Sequence, residues 1–378
     1  MIIKVKKFQE ACKKILGAVE TDSELKGVVS AYDTLEICAS NNKLQLNVSN
    51  GEYFASVSLD YAMEGEFRAV IDAKVFLTLI SKLTTEDVEL ALTERALVVN
   101  SGKSSYKFPL KCDDKGMVVL PKIEISNPSI EFVASRDKLQ SMLDFNSKEF
   151  GKGTISRPVQ QLYYLDNEGC LTFTNNTACI NAFPLAQPIQ LLLNQKVVRL
   201  FKLFEDNDVR ITLGHEEVGG LVQTRVRFES GSVTITSITS NDPTMMGQFP
   251  TKSIRAMAAK GYEYSVSIET NEFIKALDRL LLFDEANSLN RGVGIFSFGN
   301  SGITILDAKR VNQEFVGYHS AETLPTTMLE INLGLMELKA SLENSEEEFL
   351  TLNFGENEKA IVLANGNVKN VIARKILR

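Results

Sequence analysis

The sequence predicts an α+β fold of three tandem domains, each with two helices packed on antiparallel sheet. Three observations predict it. One amphipathic helix pattern occurs three times at near-equal spacing, alternating hairpin-like stretches follow each copy, and a second capped helix comes later in each set. A chain of 378 residues has room for two or three domains with separate cores.

The first copy is KKFQEACKKILGAVE, where Phe8, Ala11, Cys12 and Ile15 share one face by helical spacing. In RDKLQSMLDFNSKEF those places fall to Leu139, Met142, Leu143 and the less apolar Asn146. In NEFIKALDRLLLF they fall to Phe273, Ala276, Leu277 and Leu280, which leaves Lys275 and Arg279 four apart on the opposite face. The anchors Phe8, Leu139 and Phe273 stand 131 and 134 residues apart, close to a third of the chain. Repeats of that length are whole domains, unlike the units of about 20 to 50 residues that build a solenoid.

Each helix is followed by stretches that alternate apolar and polar residues around an Asn- or Gly-rich turn: LEICASNNKLQLNV, LYYLDNEGCLTFT and GIFSFGNSGITIL. Such patterns read as hairpins. The second helices start near Asp72, Asn194 and Asn332, whose side chains can accept bonds from the free amides of a first helical turn. Acidic turns and further strands close each set, as in TTEDVELAL, EDNDVRITL and NSEEEFLTLNF. The expected domains are 1–126, 127–250 and 251–378, with a break at Asn127-Pro128 and a linker over 251–261.

Composition narrows the function classes. A hydrophobic content of 44%, a charged content of 24% and a net charge of −7 describe an ordinary soluble protein. A negative total argues against a surface coated in nucleic acid, but leaves room for a local basic face, because the field near a concave site depends on where charges sit. No apolar run is long enough to span a bilayer and the start MIIKVKKFQEACKK lacks the apolar core of a signal peptide, so a cytoplasmic protein is expected. The five cysteines, Cys12, Cys38, Cys112, Cys170 and Cys179, show no metal-binding spacing and read as buried free thiols.

The threefold pattern, together with GTISRPVQQLYYL, FIKALDRLLLFDEANSLNRGVGIFSF and LVQTRVRFESGSVTITSITSNDPTMMGQFP, resembles the bacterial DNA sliding clamps, the beta subunits of DNA polymerase III, over the whole chain. The resemblance implies three domains of the DNA-clamp type and a head-to-tail homodimer that closes into a ring around duplex DNA. It implies a processivity factor that is not an enzyme and needs no cofactor or metal. Its partners would be duplex DNA, a replicative DNA polymerase and a clamp loader, with no membrane. Departures from the family pattern suggest a phage or mobile-element version.

Duplex DNA carries about one negative charge per 1.7 Å of axis, so cations on helices facing the hole hold it without reading its sequence. The candidates are Lys13, Lys14, Lys26, Lys74 and Lys82 in the first third, and Lys148, Lys152, Arg157, Arg199 and Lys202 in the second. Lys275 and Arg279 are those of the last third, where the helix around Lys339 is mostly acidic. Lys152 and Arg157 fall where the family's second-domain DNA-contacting loop lies. The resemblance also implies a groove for partner peptides, lined by position with Val159, Thr174, Ile180, Pro250, Ile376 and Leu377. The family's Thr-Asp-Gly-His-Arg-Leu stretch is replaced there by TNNTACI, and its Met-Pro-Met-Arg-Leu end by ARKILR, which points to a different partner motif.

Enzymatic motifs fail on inspection. HEEVG at His215 has Gly219 where a zinc protease needs its second His, and GKGT at Gly151 lacks the upstream glycine of a phosphate loop. With His215 and His319 as its two histidines, the chain offers little for histidine-based catalysis. The rival reading from another class is a ring-shaped interaction scaffold with weak or no DNA contact.

Overall fold

The structure, a computed structural model, describes residues 1–19, 33–40, 42–61, 66–148, 150, 156–284, 290–343 and 345–377. One order of elements recurs three times along them: strand, helix, four strands, helix, three strands. The helices are α1 (Val5–Leu16), α2 (Ala73–Ser81), α3 (Arg136–Ser141), α4 (Gln195–Arg199), α5 (Pro243–Gln248), α6 (Thr251–Ala259), α7 (Thr270–Leu281) and α8 (Leu335–Leu342). The pairs α1/α2, α3/α4 and α7/α8 are the two helices of successive repeats.

The chain packs as two units, Met1–Asp137 with Lys196–Thr239, and Lys138–Gln195 with Ser240–Arg378. In the first unit an eight-stranded sheet runs in the order Pro128–Ser135, Asp208–Val218, Leu221–Ser230, Val233–Ile238, Tyr53–Asp60, Lys43–Ser49, Thr34–Ser40, Phe67–Asp72. A four-stranded sheet, Ile2–Lys4, Asp87–Leu92, Ala96–Ser101, Ser104–Pro109, completes it. α1 buries Val5, Phe8, Ala11, Cys12 and Ile15 and stops at Gly17. Phe8 meets Phe76 of α2 edge to face at 6.0 Å, and Phe76 meets Phe108 at 5.2 Å, so one aromatic column ties both helices to the sheet. α2 begins where expected: the Asp72 carboxylate accepts the Val75 amide at 3.1 Å.

The second unit holds a sheet of twelve strands that runs from Gln190–Asn194 through Leu162–Asp166, Gly169–Phe173 and Thr177–Ala182 to Val368–Ala373, and on to Leu329–Gly334 at its far edge. α3 continues into a π-helical turn over Met142–Asn146. Asn146, the polar residue in an apolar place, is fully buried and donates to the Thr172 hydroxyl at 3.1 Å, so it docks the helix on its sheet by hydrogen bond where its counterparts Ile15 and Leu280 use packing. α7 buries Phe273, Ala276, Leu277 and Leu280 in one core with Leu335, Leu338 and Leu342 of α8.

The structure corrects three local expectations. Asn332 caps no helix, because its strand runs on to Gly334, it pairs with Ile295, and α8 starts at Leu335. The segment read as a linker is a regular helix, α6, since Ile254 and Ala258, four apart, bury themselves in a core with Phe249. The cysteines are not uniformly buried: Cys12, Cys170 and Cys179 are, Cys38 is half-buried and Cys112 is exposed. Burial, with the Glu36 carboxylate beside it, pushes the Cys38 thiol up to about 12, which leaves it a thiol at neutral pH.

Candidate functional site

Among the candidate cations, Lys13 and Lys14 lie on α1, Lys74 on α2, Arg199 on α4, and Lys275 and Arg279 on α7. In the first unit Lys13, Lys74, Lys82, Arg199 and Lys202 are all exposed, and none has an ion-pair partner among the described residues. Two of the helices are brought close at one end: a Cβ added to Gly17, just past α1, would lie 2.9 Å from Leu203, just past α4. Lys13 and Lys202 therefore belong to one neighbourhood. Lys14 differs, being half-buried with its ammonium 2.7 Å from Glu205 and 3.3 Å from the Ser232 hydroxyl, so it fixes that neighbourhood more than it projects from it.

In the second unit the cations are more restrained. Lys148 is half-buried with its ammonium 5.4 Å from the centre of the Phe145 ring. Arg157 is exposed and lies over the Phe173 ring at 5.8 Å. Lys275 is exposed and without an ion-pair partner among the described residues. Arg279 is held fork to fork by Glu314, at 2.7 and 2.6 Å. The guanidinium keeps the Glu314 carboxyl below its usual range, so both stay charged and largely cancel. Lys339 is likewise closed against Asp278 at 2.5 Å. Lys26 and Lys152 lie outside the described residues, as does the GKGT stretch.

Also in the second unit is a cleft of about 270 Å³. Its apolar wall comes from Phe173, Ala178, Ile254, Met257 and Val371, and the turn Thr174–Thr177 forms one rim. That turn is fixed by the Thr174 and Thr177 hydroxyls, 2.9 Å apart. α6 is held beside it by Arg255, which bonds Asp166 at 2.8 Å and reaches Glu168 at 3.2 Å, and by Phe249, wedged against the rings of Tyr164 and Phe173.

Of the residues expected in a peptide groove, Thr174 and Pro250 line this cleft, while Val159 is fully buried and Ile180 partly buried in the core beneath it. Ile376 and Leu377 do not line it. The chain end is drawn off toward the strand Leu329–Gly334, where the Lys375 amide bonds the Asn332 carbonyl and its ammonium bonds Glu337 of α8, leaving Ile376 85% exposed. Lys359 and Ala373 stand at the cleft in their stead. Sequence reading missed Ile254 and Met257; their spacing of three within TKSIRAMAA was the available signal, hidden by taking that segment for a linker.

His215 lies exposed on its strand with its ring 3.2 Å from the Thr224 hydroxyl, and no cluster of potential metal ligands occurs among the described residues. No helix is long and apolar enough to cross a membrane among the described residues.

The sequence matches no protein-family model and no curated protein. Solved structures do match over the whole chain. It is similar to a DNA polymerase sliding clamp from Pseudomonas aeruginosa, with a TM-score of 0.81 at 14% identity, covering 100% of this chain and 99% of that one. The beta subunit from the DNA polymerase of Streptococcus pyogenes matches with a TM-score of 0.79 at 17% identity, covering 99% of each chain. The sliding clamp from Bacillus subtilis matches with a TM-score of 0.77 at 17% identity, covering 100% of this chain and 99% of that one. From end to end, with a strongly diverged sequence, this chain has the three-domain α+β fold of the DNA polymerase III beta-subunit sliding clamps.

Proposed function

We propose that this chain is a DNA polymerase processivity factor: a non-catalytic homodimeric ring that encircles duplex DNA without reading its sequence and tethers a replicative polymerase. The observation that carries the reading is the sliding-clamp fold at full length, with unpaired cations on repeated helix faces. This reading takes the three repeats as domains at 1–126, 127–250 and 251–378. The function places the protein in the cytoplasm, with a clamp loader to open the ring.

The repeat also supplies a rule for closure. Inside the chain, the last strand of one repeat twice adds to a hairpin strand of the preceding one: Val233–Ile238 pairs with Tyr53–Asp60, and Val368–Ala373 with Thr177–Ala182. The corresponding last strand of the first repeat is Ser104–Pro109, which pairs with Ala96–Ser101 and has no second strand partner among the described residues. The corresponding acceptor in the third repeat is Gln313–Thr323, whose first residues, Gln313–Gly317, pair with Gly302–Asp307 and likewise have an open edge among the described residues. A third joint of the same kind needs a second copy, and two such joints close a dimer. Tyr106 and Phe315 stand on these edges, 38% and 56% exposed. Electron-microscope images of the purified protein test this reading: rings with a hole of duplex width support it, and solid particles at all concentrations reject it.

In this reading the cleft beside α6 receives short peptide segments of polymerase and loader. Phe173, Ile254 and Val371 offer them an apolar wall.

A further inference from the structure

Resting on the peptide-groove reading, we propose that the partner segment taken by the cleft is an apolar pair flanked by a carboxylate side chain, and that Arg157 and Lys359 read that carboxylate. Both cations line the cleft. No Asp or Glu lines it among the described residues, although the chain as a whole carries 48 acidic residues against 41 basic ones. Both are exposed, and neither has an ion-pair partner among the described residues. Two cations nearby are paired: Arg255 with Asp166 and Glu168, Lys260 with Glu358 at 2.6 Å. A cleft that keeps two unmatched cations beside an apolar wall in an acidic protein is complementary to an apolar segment with negative charge next to it.

Arg157 is oriented for this role. The ring of Phe173 holds its guanidinium 5.8 Å from the ring centre, at the cleft wall, so little side-chain freedom is lost when a carboxylate arrives. Three polar groups of the rim are already engaged. Asn175 is occupied by Gln160 at 2.9 Å, and the Thr174 and Thr177 hydroxyls bond each other. An apolar side chain against Ile254, Met257 and Val371 supplies affinity, and the flanking carboxylate supplies selection against neutral or basic segments.

A random peptide library displayed on phage and selected on the full-length protein tests the proposal. The expected winners carry two apolar residues with Asp or Glu within a few positions. Their synthetic counterparts should bind the Arg157→Gln/Lys359→Gln double variant about tenfold more weakly at low salt, as befits two partly exposed charge-assisted contacts. Reselection on the charge-reversed Arg157→Glu/Lys359→Glu protein should replace the acidic flank with Lys or Arg, a switch that a purely structural role would not produce. Winners with no acidic excess, or equal binding to the Gln double variant, overturn the carboxylate inference and leave the groove reading in place. Winners that bind unchanged to Met257→Glu, a substitution at a 39% exposed wall position, overturn the groove reading itself.

Discussion

The first and third repeats share one order of strands and helices yet leave different shares of their helix cations unpaired, with Lys14 of α1 the one candidate of the first repeat held by a carboxylate among the described residues. On α1 and α2, Lys13, Lys74 and Lys82 project without ion-pair partners among the described residues. On α7 and α8, Arg279 and Lys339 are closed against Glu314 and Asp278, and Lys275 remains. The fold fixes where a cation can stand, whereas a single carboxylate one strand or one helix away decides whether its charge reaches beyond the protein surface. Attraction for phosphate should therefore be uneven around the proposed ring, strong along the first repeat and α4 and weak along the third.

The comparison breaks most severely if the two repeats do not meet across a dimer joint. Tyr106→Glu with Phe315→Glu puts charges on both open edges, and sedimentation should show dimer affinity weakened about a hundredfold or more, as for removal of central aromatic anchors. An unchanged dimer would relocate the joint. Next in size is the lining. Replacing Lys13, Lys74, Arg199 and Lys202 by Gln, which removes eight cations from the two-copy ring, should lower the slope of log affinity against log salt by up to about 7, at about 0.9 for each phosphate no longer neutralised. The same measurement on Lys275→Gln should show a decrease of up to about 2 for the two copies, and on Arg279→Gln close to nothing. If Arg279→Gln matches Lys275→Gln, the ion pair with Glu314 does not mask charge as described.

Ion pairs also separate the repeats by depth. In the first, Glu36 is 3% exposed and bonds Arg68 at 2.8 Å and Asn47 at 3.0 Å. Burial pushes its carboxyl up, but the bonds from Asn47 and Arg68 outweigh that and hold it below the usual carboxylate range. A carboxyl lowered on folding stabilises the protein above its ordinary range, and the benefit is lost as pH falls through the folded value. Glu36→Gln should thus cost about 1 to 3 kcal/mol in urea unfolding at neutral pH, with the two proteins converging in acid. Glu314→Gln, at the surface, should leave stability nearly unchanged and raise DNA affinity about two- to threefold by releasing Arg279.

Much of this was legible in the sequence because it is written in periodicity. Phe8, Leu139 and Phe273 announced three helices, and the structure buries all three on matching faces. Asp72 announced a helix start, since the cap is a local bond three residues long. What the sequence hid is tertiary. Asn332 looks like Asp72 in type, but its strand partner Ile295 carries the chain past it. Asn146 reads as a defect in an apolar face until Thr172, distant in sequence, appears as its partner. Arg279 and Lys275 are indistinguishable by spacing, and Glu314 lies on a strand that no helix pattern points to. The cleft is hidden for the same reason, because its wall joins α6 to the strand Val368–Ala373 across more than a hundred residues of chain.

The central claim, that two copies surround the duplex, is tested most directly by retention on DNA of different topology. The protein is loaded on nicked circular plasmid, washed at a salt concentration that removes electrostatic binding, and followed after the plasmid is cut once. A ring predicts retention on the circle and release within the time needed to slide off the new ends. Equal retention on circular and linear DNA, or none on either, would contradict it.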